Sequence, residues 1–156
     1  MHLHGKDATD KAEDLLGRPL TDAEHHIASL EGYSYSPYLD TKDVLTSGFG
    51  QTGRYLRMPF DKVVSIFEDR TRQIVPAYDE LPAFIRLRLL DSTYRGGLSD
   101  SPATLRLINA GDWDGAAVEF LNHDGFRSAL ESGSGVANRM QETSDAMLEM
   151  AIRGRV

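Results

Sequence analysis

Three polar residues in the stretch Glu31 to Gly53, EGYSYSPYLDTKDVLTSGFGQTG, have types and an order suited to hydrolysis: Glu31, Asp40 and Thr46. Glycoside hydrolysis needs a protonated carboxyl to give a proton to the leaving oxygen. It also needs an ionised carboxylate to hold or activate water, or to attack. Glu31 suits the acid, because it falls in the last turn of an expected helix, where the negative end of the helix dipole disfavours a carboxylate. Asp40, on an expected exposed loop, is placed to stay ionised. Thr46 can donate or accept a hydrogen bond and fix the water. Taken alone, a Glu, an Asp nine residues on and a Thr six further on is a short pattern that chance also produces. Its plain alternative is a helix-terminal Glu and a turn Asp with no chemistry.

The elements that must position these residues are marked by local punctuation. Thr21-Asp-Ala-Glu24 reads as a capping box, the Thr21 hydroxyl accepting an N-terminal amide and Glu24 reaching back to the Thr21 amide. Ile27, Ala28 and Leu30 then recur at helical spacing and are expected to face the core. Gly32 is a natural residue to end that helix, while His25 and His26 are read as a solvated face. Pro37-Tyr-Leu-Asp40 leads into a turn at Thr41-Lys-Asp43. Val44-Leu-Thr46 and Phe49-Gly-Gln-Thr52 read as the strands of a small hairpin. Gly48, Gly50 and Gly53 weaken strands, so their expected use is close approach of backbone to a ligand or to the helix below.

Around this stretch the chain reads as helices. His2 and His4 fall in a start expected to be mobile; no ligand cluster follows them, so no metal is assigned. Asp7 to Leu16 is expected to form a short helix closed by Gly17, and Pro19 then breaks the chain. After Pro59, Val63, Val64, Ile66, Phe67, Ile74 and Val75 give an apolar stripe that Pro76 kinks or ends. Phe84, Ile85, Leu87, Leu89 and Leu90 mark the central buried helix, ended by Gly96-Gly97. Ser101-Pro102 starts another helix, closed by Gly111. Asp112 caps the next, in which Trp113, Ala116, Ala117 and Phe120 face inward. Residues 132–135 are a flexible loop by composition. Val136 to Ile152 forms a last helix with Met140, Met147, Leu148 and Ala151 on its core side. The sum is an α+β fold dominated by helices, with residues 1–20 as an N-terminal extension and residues 21–156 as a single domain without internal repeats.

Composition excludes several chemistries. The 156 residues contain no Cys, which removes disulfides, thiolate metal sites and Cys nucleophiles and suits a reducing compartment. No window reaches the ~18 apolar residues of a membrane span. The N-terminus is charged and lacks the apolar centre of a secretory signal, so a target outside the cytoplasm requires another route of delivery. Net charge is -7, and residues 1–31, with three basic and seven acidic side chains, supply -4 of it. Residues 53–106 carry nine basic against seven acidic side chains. No block of Lys and Arg interleaved with aromatics is present, so nucleic-acid binding has no electrostatic footprint.

The pattern around Glu31 resembles the phage-type lysozymes, glycoside hydrolase family 24, the muramidases used by many tailed phages as endolysins. The family signature stands here as Glu31-Gly32, Tyr38-Leu-Asp40 and Thr46-Ser-Gly48-Phe-Gly50. Pro76-Ala-Tyr-Asp-Glu-Leu81, Thr104-Leu-Arg-Leu107, Gly111-Asp-Trp-Asp-Gly-Ala-Ala-Val118 and Asn138-Arg139 look like family segments in the expected order, and the likeness covers roughly residues 22–150. The resemblance implies a lysozyme-like fold, with a hairpin lobe and a helical lobe flanking a cleft. It also implies cleavage, with inversion, of the β-1,4 bond between N-acetylmuramic acid and N-acetylglucosamine. Glu31 is then the acid, and Asp40 with Thr46 positions the water. Gly50, Tyr94, Arg95 and Thr104 fall where the family lines its sugar cleft, and Arg139 matches the Arg that supports the catalytic Glu. Tyr94, Arg95 and Thr104 each have a plain alternative in packing, solvation or a helix start. No cofactor is implied. The implied partner is the glycan strand of peptidoglycan, met by a monomer made in the bacterial host cytoplasm and acting on the wall after release or delivery. Gln51 stands where the family commonly has His, and Phe126 near its usual Trp. The net negative charge predicts weak attraction to an anionic wall. The first ~20 residues lie outside the resemblance. Two other readings remain: a wall-binding or virion structural protein that kept the fold, and a glycosidase acting on a chitin-like polymer.

Overall fold

Local signals at Thr21 and Glu24 start the helix that leads to Glu31. In the computed structural model, which describes residues 2–133 and 135–154, the Glu24 amide donates to Thr21 Oγ1 at 3.1 Å and the Thr21 amide donates to Glu24 Oε1 at 2.9 Å. This is the expected capping box, and it opens α2 (Asp22–Glu31). Arg18 strengthens it: its Nη1 and Nη2 donate to the two Glu24 oxygens, each at 2.7 Å. Two-pronged pairing of this kind fixes orientation as well as charge. The preceding helix, α1 (Gly5–Leu16), closes at Gly17 as expected and packs on α2 through Ala8 and Ala12, both fully buried.

The chain divides into two compact units, Met1–Glu68 and Asp69–Val156. The first holds a four-stranded antiparallel sheet in the order β1-β2-β3-β4: β1 (His2–Leu3), β2 (Tyr33–Leu39), β3 (Leu45–Gly48) and β4 (Gln51–Thr52). Two of these strands differ from the sequence-based expectation. Residues 2–3, expected to be mobile, pair with β2, Leu3 opposite Tyr33 and His2 opposite Ser34. Residues 33–39, of which Pro37-Tyr-Leu-Asp40 was read as leading into a turn, form the longest described strand. Pro37 obscured it, since proline has no amide to donate to a ladder. The structure accommodates Pro37 where the β2–β3 register shifts, between the pairs Ser34–Gly48 and Tyr38–Thr46. A 3-10 turn (Gly53–Tyr55) then leads to α3 (Phe60–Ile74), whose Val63, Val64 and Phe67 are buried.

The second unit takes up the rest of α3 and adds a 3-10 turn (Tyr78–Glu80) and five helices: α4 (Ala83–Tyr94), α5 (Pro102–Asn109), α6 (Trp113–Leu121), α7 (Asp124–Ser132) and α8 (Gly135–Arg153). Pro76 ends α3 rather than kinking it. The core joins Val75, Ile85, Leu89, Leu98, Ile108, Ala116, Ala117, Phe120 and Met147, so α4 is buried as expected. Two expectations need correction. Leu148 is 40% exposed, because the inward stripe of α8 runs through Ala137, Thr143, Ser144 and Met147, and the next residue is turned about 100° away. Helix α7 had no signal of its own: Gly125 weakens its first turn and Leu130 stays exposed. Ser132 and Gly133, expected in a flexible loop, end that helix; Ser134 of the same stretch lies outside the described residues.

Burial alone would raise the Glu24 carboxyl, but the Arg18 guanidinium and the Thr21 amide outweigh it and hold the group below the ordinary value of 4.5. A depressed folded-state value means that the contribution is complete above 4.5 and is lost as pH falls through the folded value. Glu24→Gln is therefore expected to destabilise the protein at pH 7 by about 1–3 kcal/mol. The gap to the parent should shrink toward pH 3. Urea unfolding at the two pH values reads both effects.

Candidate active site

Glu31 is the last residue of α2, and the helix does not fade out after it. Gly32 takes φ 70° and ψ −174°, and its amide donates to the Ala28 carbonyl at 3.0 Å. That backbone region is essentially confined to glycine. The chain passes from helix to strand in one residue, and the half-buried Glu31 side chain is held at the junction.

The turn between β3 and β4 approaches this carboxyl from the other side. Gly50 has φ 68°, and a Cβ placed on it would lie 2.6 Å from Glu31 Oε2 and 3.1 Å from Glu31 Cδ. The expectation that the hairpin glycines serve close approach holds here, with the helix end as the partner. The turn is itself fastened by Gln51. Its Nε2 donates to the carbonyls of Tyr55 at 2.7 Å and Met58 at 2.8 Å, and its Oε1 accepts from the Phe49 amide at 3.3 Å. A buried neutral amide thus satisfies three backbone groups, one of them an amide N–H that a fully protonated His could not serve.

Asp40 closes the β2–β3 hairpin. Its Oδ1 accepts from the amides of Lys42 at 2.8 Å and Val44 at 2.9 Å, and its carbonyl accepts from the Asp43 amide at 3.0 Å. Asp43 follows in the left-handed conformation, φ 59°. Both side-chain bonds fall on one oxygen, so the turn's amides leave Oδ2 unused. Thr46 is buried on β3, opposite Tyr38 of β2, and its hydroxyl donates to the Val44 carbonyl at 3.0 Å. The Thr46 oxygen keeps its lone pairs for a donor such as water.

Tyr38 is the neighbour that registers both charges, and sequence reasoning used it only as part of a motif. Burial raises its phenol above the ordinary value, and the negative charges of Glu31 and Asp40 push it the same way. Both carboxylates therefore act on one hydroxyl. Glu31, Asp40, Thr46 and Gly50 all belong to the first unit.

The other residues singled out in the sequence belong to the second unit. Tyr94 is the last residue of α4, half-buried, and Arg95 is its exposed C-cap. Thr104 is only 1% exposed on α5, a placement that favours packing over substrate contact. Arg139 on α8 donates through Nη2 to Asp91 Oδ1, and Asp91 is buried within α4. Asp91 had not been singled out. Its signal was a lone acid in the run Leu89-Leu-Asp-Ser92 of a helix read as wholly buried, and a charge in that position requires a partner.

Gly50→Ala is expected to destabilise the protein by about 1–3 kcal/mol, from the φ strain alone. It should also displace the Glu31 carboxyl, which the new methyl would strike. Thermal unfolding together with the Glu31 side-chain NMR shifts separates the two effects.

No protein-family model matches the sequence, and no curated protein matches it either. Among solved structures, the chain is similar to the crystal structure of the active form of the P1 phage endolysin Lyz. The TM-score is 0.57 at 14% identity, over 96% of each chain. The likeness establishes the fold: a helix-dominated, lysozyme-like α+β architecture with a small antiparallel sheet.

Proposed function

We propose that the protein is an endo-acting lysozyme that hydrolyses the β-1,4 bond between N-acetylmuramic acid and N-acetylglucosamine in bacterial peptidoglycan. Glu31 is the general acid that protonates the leaving oxygen. Asp40, through Oδ2, and Thr46, through its free lone pairs, position the water on the opposite face of the sugar, giving inversion. The reading requires the two carboxyl groups to stand about 6.5–9.5 Å apart, leaving room for that water. The observation that carries it is the Glu31 carboxyl at the helix end, pressed against the glycine turn that follows Thr46. The fold shared with a phage endolysin supports the same reading.

In this reading Gly50, whose turn lies against Glu31, also lines the path of the glycan strand. The protein acts as a monomer on the wall after release or delivery. A second reading, a wall-binding protein that performs no chemistry, is favoured by one observation. Asp40 Oδ1 and the Thr46 hydroxyl proton already have complete structural uses in the hairpin.

Reducing-end release from purified peptidoglycan distinguishes them. The intact protein should release reducing ends and Glu31→Gln should release none, since the change removes the proton donor and little packing. Asp40→Asn keeps an oxygen for both turn amides, so it should fold normally with stability within about 1 kcal/mol of the parent. Its kcat should nevertheless fall, because the amide cannot take the water's proton. No release by a folded protein that still pellets with the wall would favour the binding reading, and retained turnover in a folded Glu31→Gln variant would sink the assignment of the acid.

A further inference from the structure

The residues that precede the capping box are not absorbed by the proposed chemistry, yet they bracket its acid. Glu31 sits at the joint between α2 and β2. The N-terminal segment runs alongside that joint with a joint of its own: α1 packs on α2, which ends in Glu31, and β1 pairs with Tyr33 and Ser34, which follow it. At the joint the fit is tight. A Cβ on Gly32 would lie 2.6 Å from the Leu3 carbonyl oxygen and 3.4 Å from His4 Nδ1. Two side chains secure the strand half. Lys11 of α1 places its ammonium 5.1 Å from the Tyr35 ring centre and 5.7 Å from that of Tyr33. The His2 ring lies 4.5 Å from the ring of Tyr38, the residue on which the charges of Glu31 and Asp40 converge.

We infer that residues 2–16 act as a splint that positions Glu31, with Leu3 as its positioning residue working through Gly32. The inference rests on reading Glu31 as the general acid. A helix end followed by a single glycine has little to fix it, because glycine gives up the most conformational freedom on ordering. A partner on each arm of the joint, α1 packed on the helix and β1 paired with the strand, removes that freedom. The Gly50 turn then meets a carboxyl whose origin is already set. The splint touches no reacting atom, so its effect should appear in turnover rather than in substrate affinity.

The test uses the full chain and a chain shortened so that Met directly precedes Gly5, which removes β1 and leaves α1. Two measurements are made on each. In the shortened chain, amide exchange of residues 32–34 should quicken about tenfold or more while that of Ile27 and Ala28 is unchanged. Its kcat on peptidoglycan should fall ~10–100-fold, with KM within about twofold. Gly32→Ala should lower kcat in the full chain, and by a smaller factor in the shortened one, where Leu3 no longer opposes the methyl. That non-additivity marks positioning, since loss of stability alone would not produce it. Equal kcat in the two chains, or unchanged exchange at residues 32–34, would overturn the splint. If the full chain releases no reducing ends, the lysozyme reading fails by itself and exchange alone decides the splint. If the shortened chain does not fold, Gly32→Ala in the full chain carries the test, and a kcat within about twofold of the parent overturns the inference.

Discussion

The first unit depends on a backbone turn that only glycine can make. At Gly32 the chain leaves a helix and enters a strand within one residue, in a conformation essentially closed to side-chain-bearing residues and against the Leu3 carbonyl. A gradual helix end would let the final turn fray and would spread the position of its last side chain. The abrupt end fixes the Glu31 Cα with respect to the α2 axis and the β2 pleat together. The capping box and the Arg18–Glu24 pair hold the far end of the same helix. A ten-residue helix pinned at both ends is a short, stiff carrier for one carboxyl.

The second unit uses charge differently. Asp91 and Arg139 join α4 to α8 in the interior, and Arg88 with Glu142 joins the same helices nearer the surface. Replacing a buried pair by apolar residues often costs nothing, so this one is a poor argument for stability. Registry is the better argument. The pairs 88–142 and 91–139 are offset by three residues in opposite directions, which fits only one antiparallel alignment of the two helices. Met147 and the Ser144 hydroxyl, which donates to the Ala117 carbonyl at 2.9 Å, then fall against their partners without adjustment.

What could be read from the sequence was what is local. The capping box, the helix ends at Gly17 and Gly32, the buried α4 and the proline stop after α3 each depend on residues a few positions apart, and the structure has them all. The losses share a cause as well. A two-residue strand such as β1 has no periodicity, and only its pairing with Tyr33 and Ser34 makes it a strand. Pro37 argues against a strand until the register shift that accommodates it is known. Within the site, Asp40 and Gly50 were chosen for motif and flexibility. The two amides on Asp40 Oδ1 and the distance from Gly50 to Glu31 are tertiary facts, invisible to spacing. Gln51 is instructive: read only as a departure from the usual His, it satisfies three backbone groups through its own amide.

The acidic balance of the chain also has a structural reading. Asp7, Asp10, Glu13 and Asp14 all lie on the exposed side of α1, while Ala8 and Ala12 form the side that meets α2. Alanine at the contact lets the two helix backbones come close, which a splint requires, and small side chains lose almost no rotamer freedom when buried. The charge that the sequence concentrates in residues 1–31 therefore marks the outer face of the splint. Exposed charges act weakly beyond about 10 Å at 0.1 M salt. The four exposed acids of α1 can thus raise solubility without entering the contact with α2.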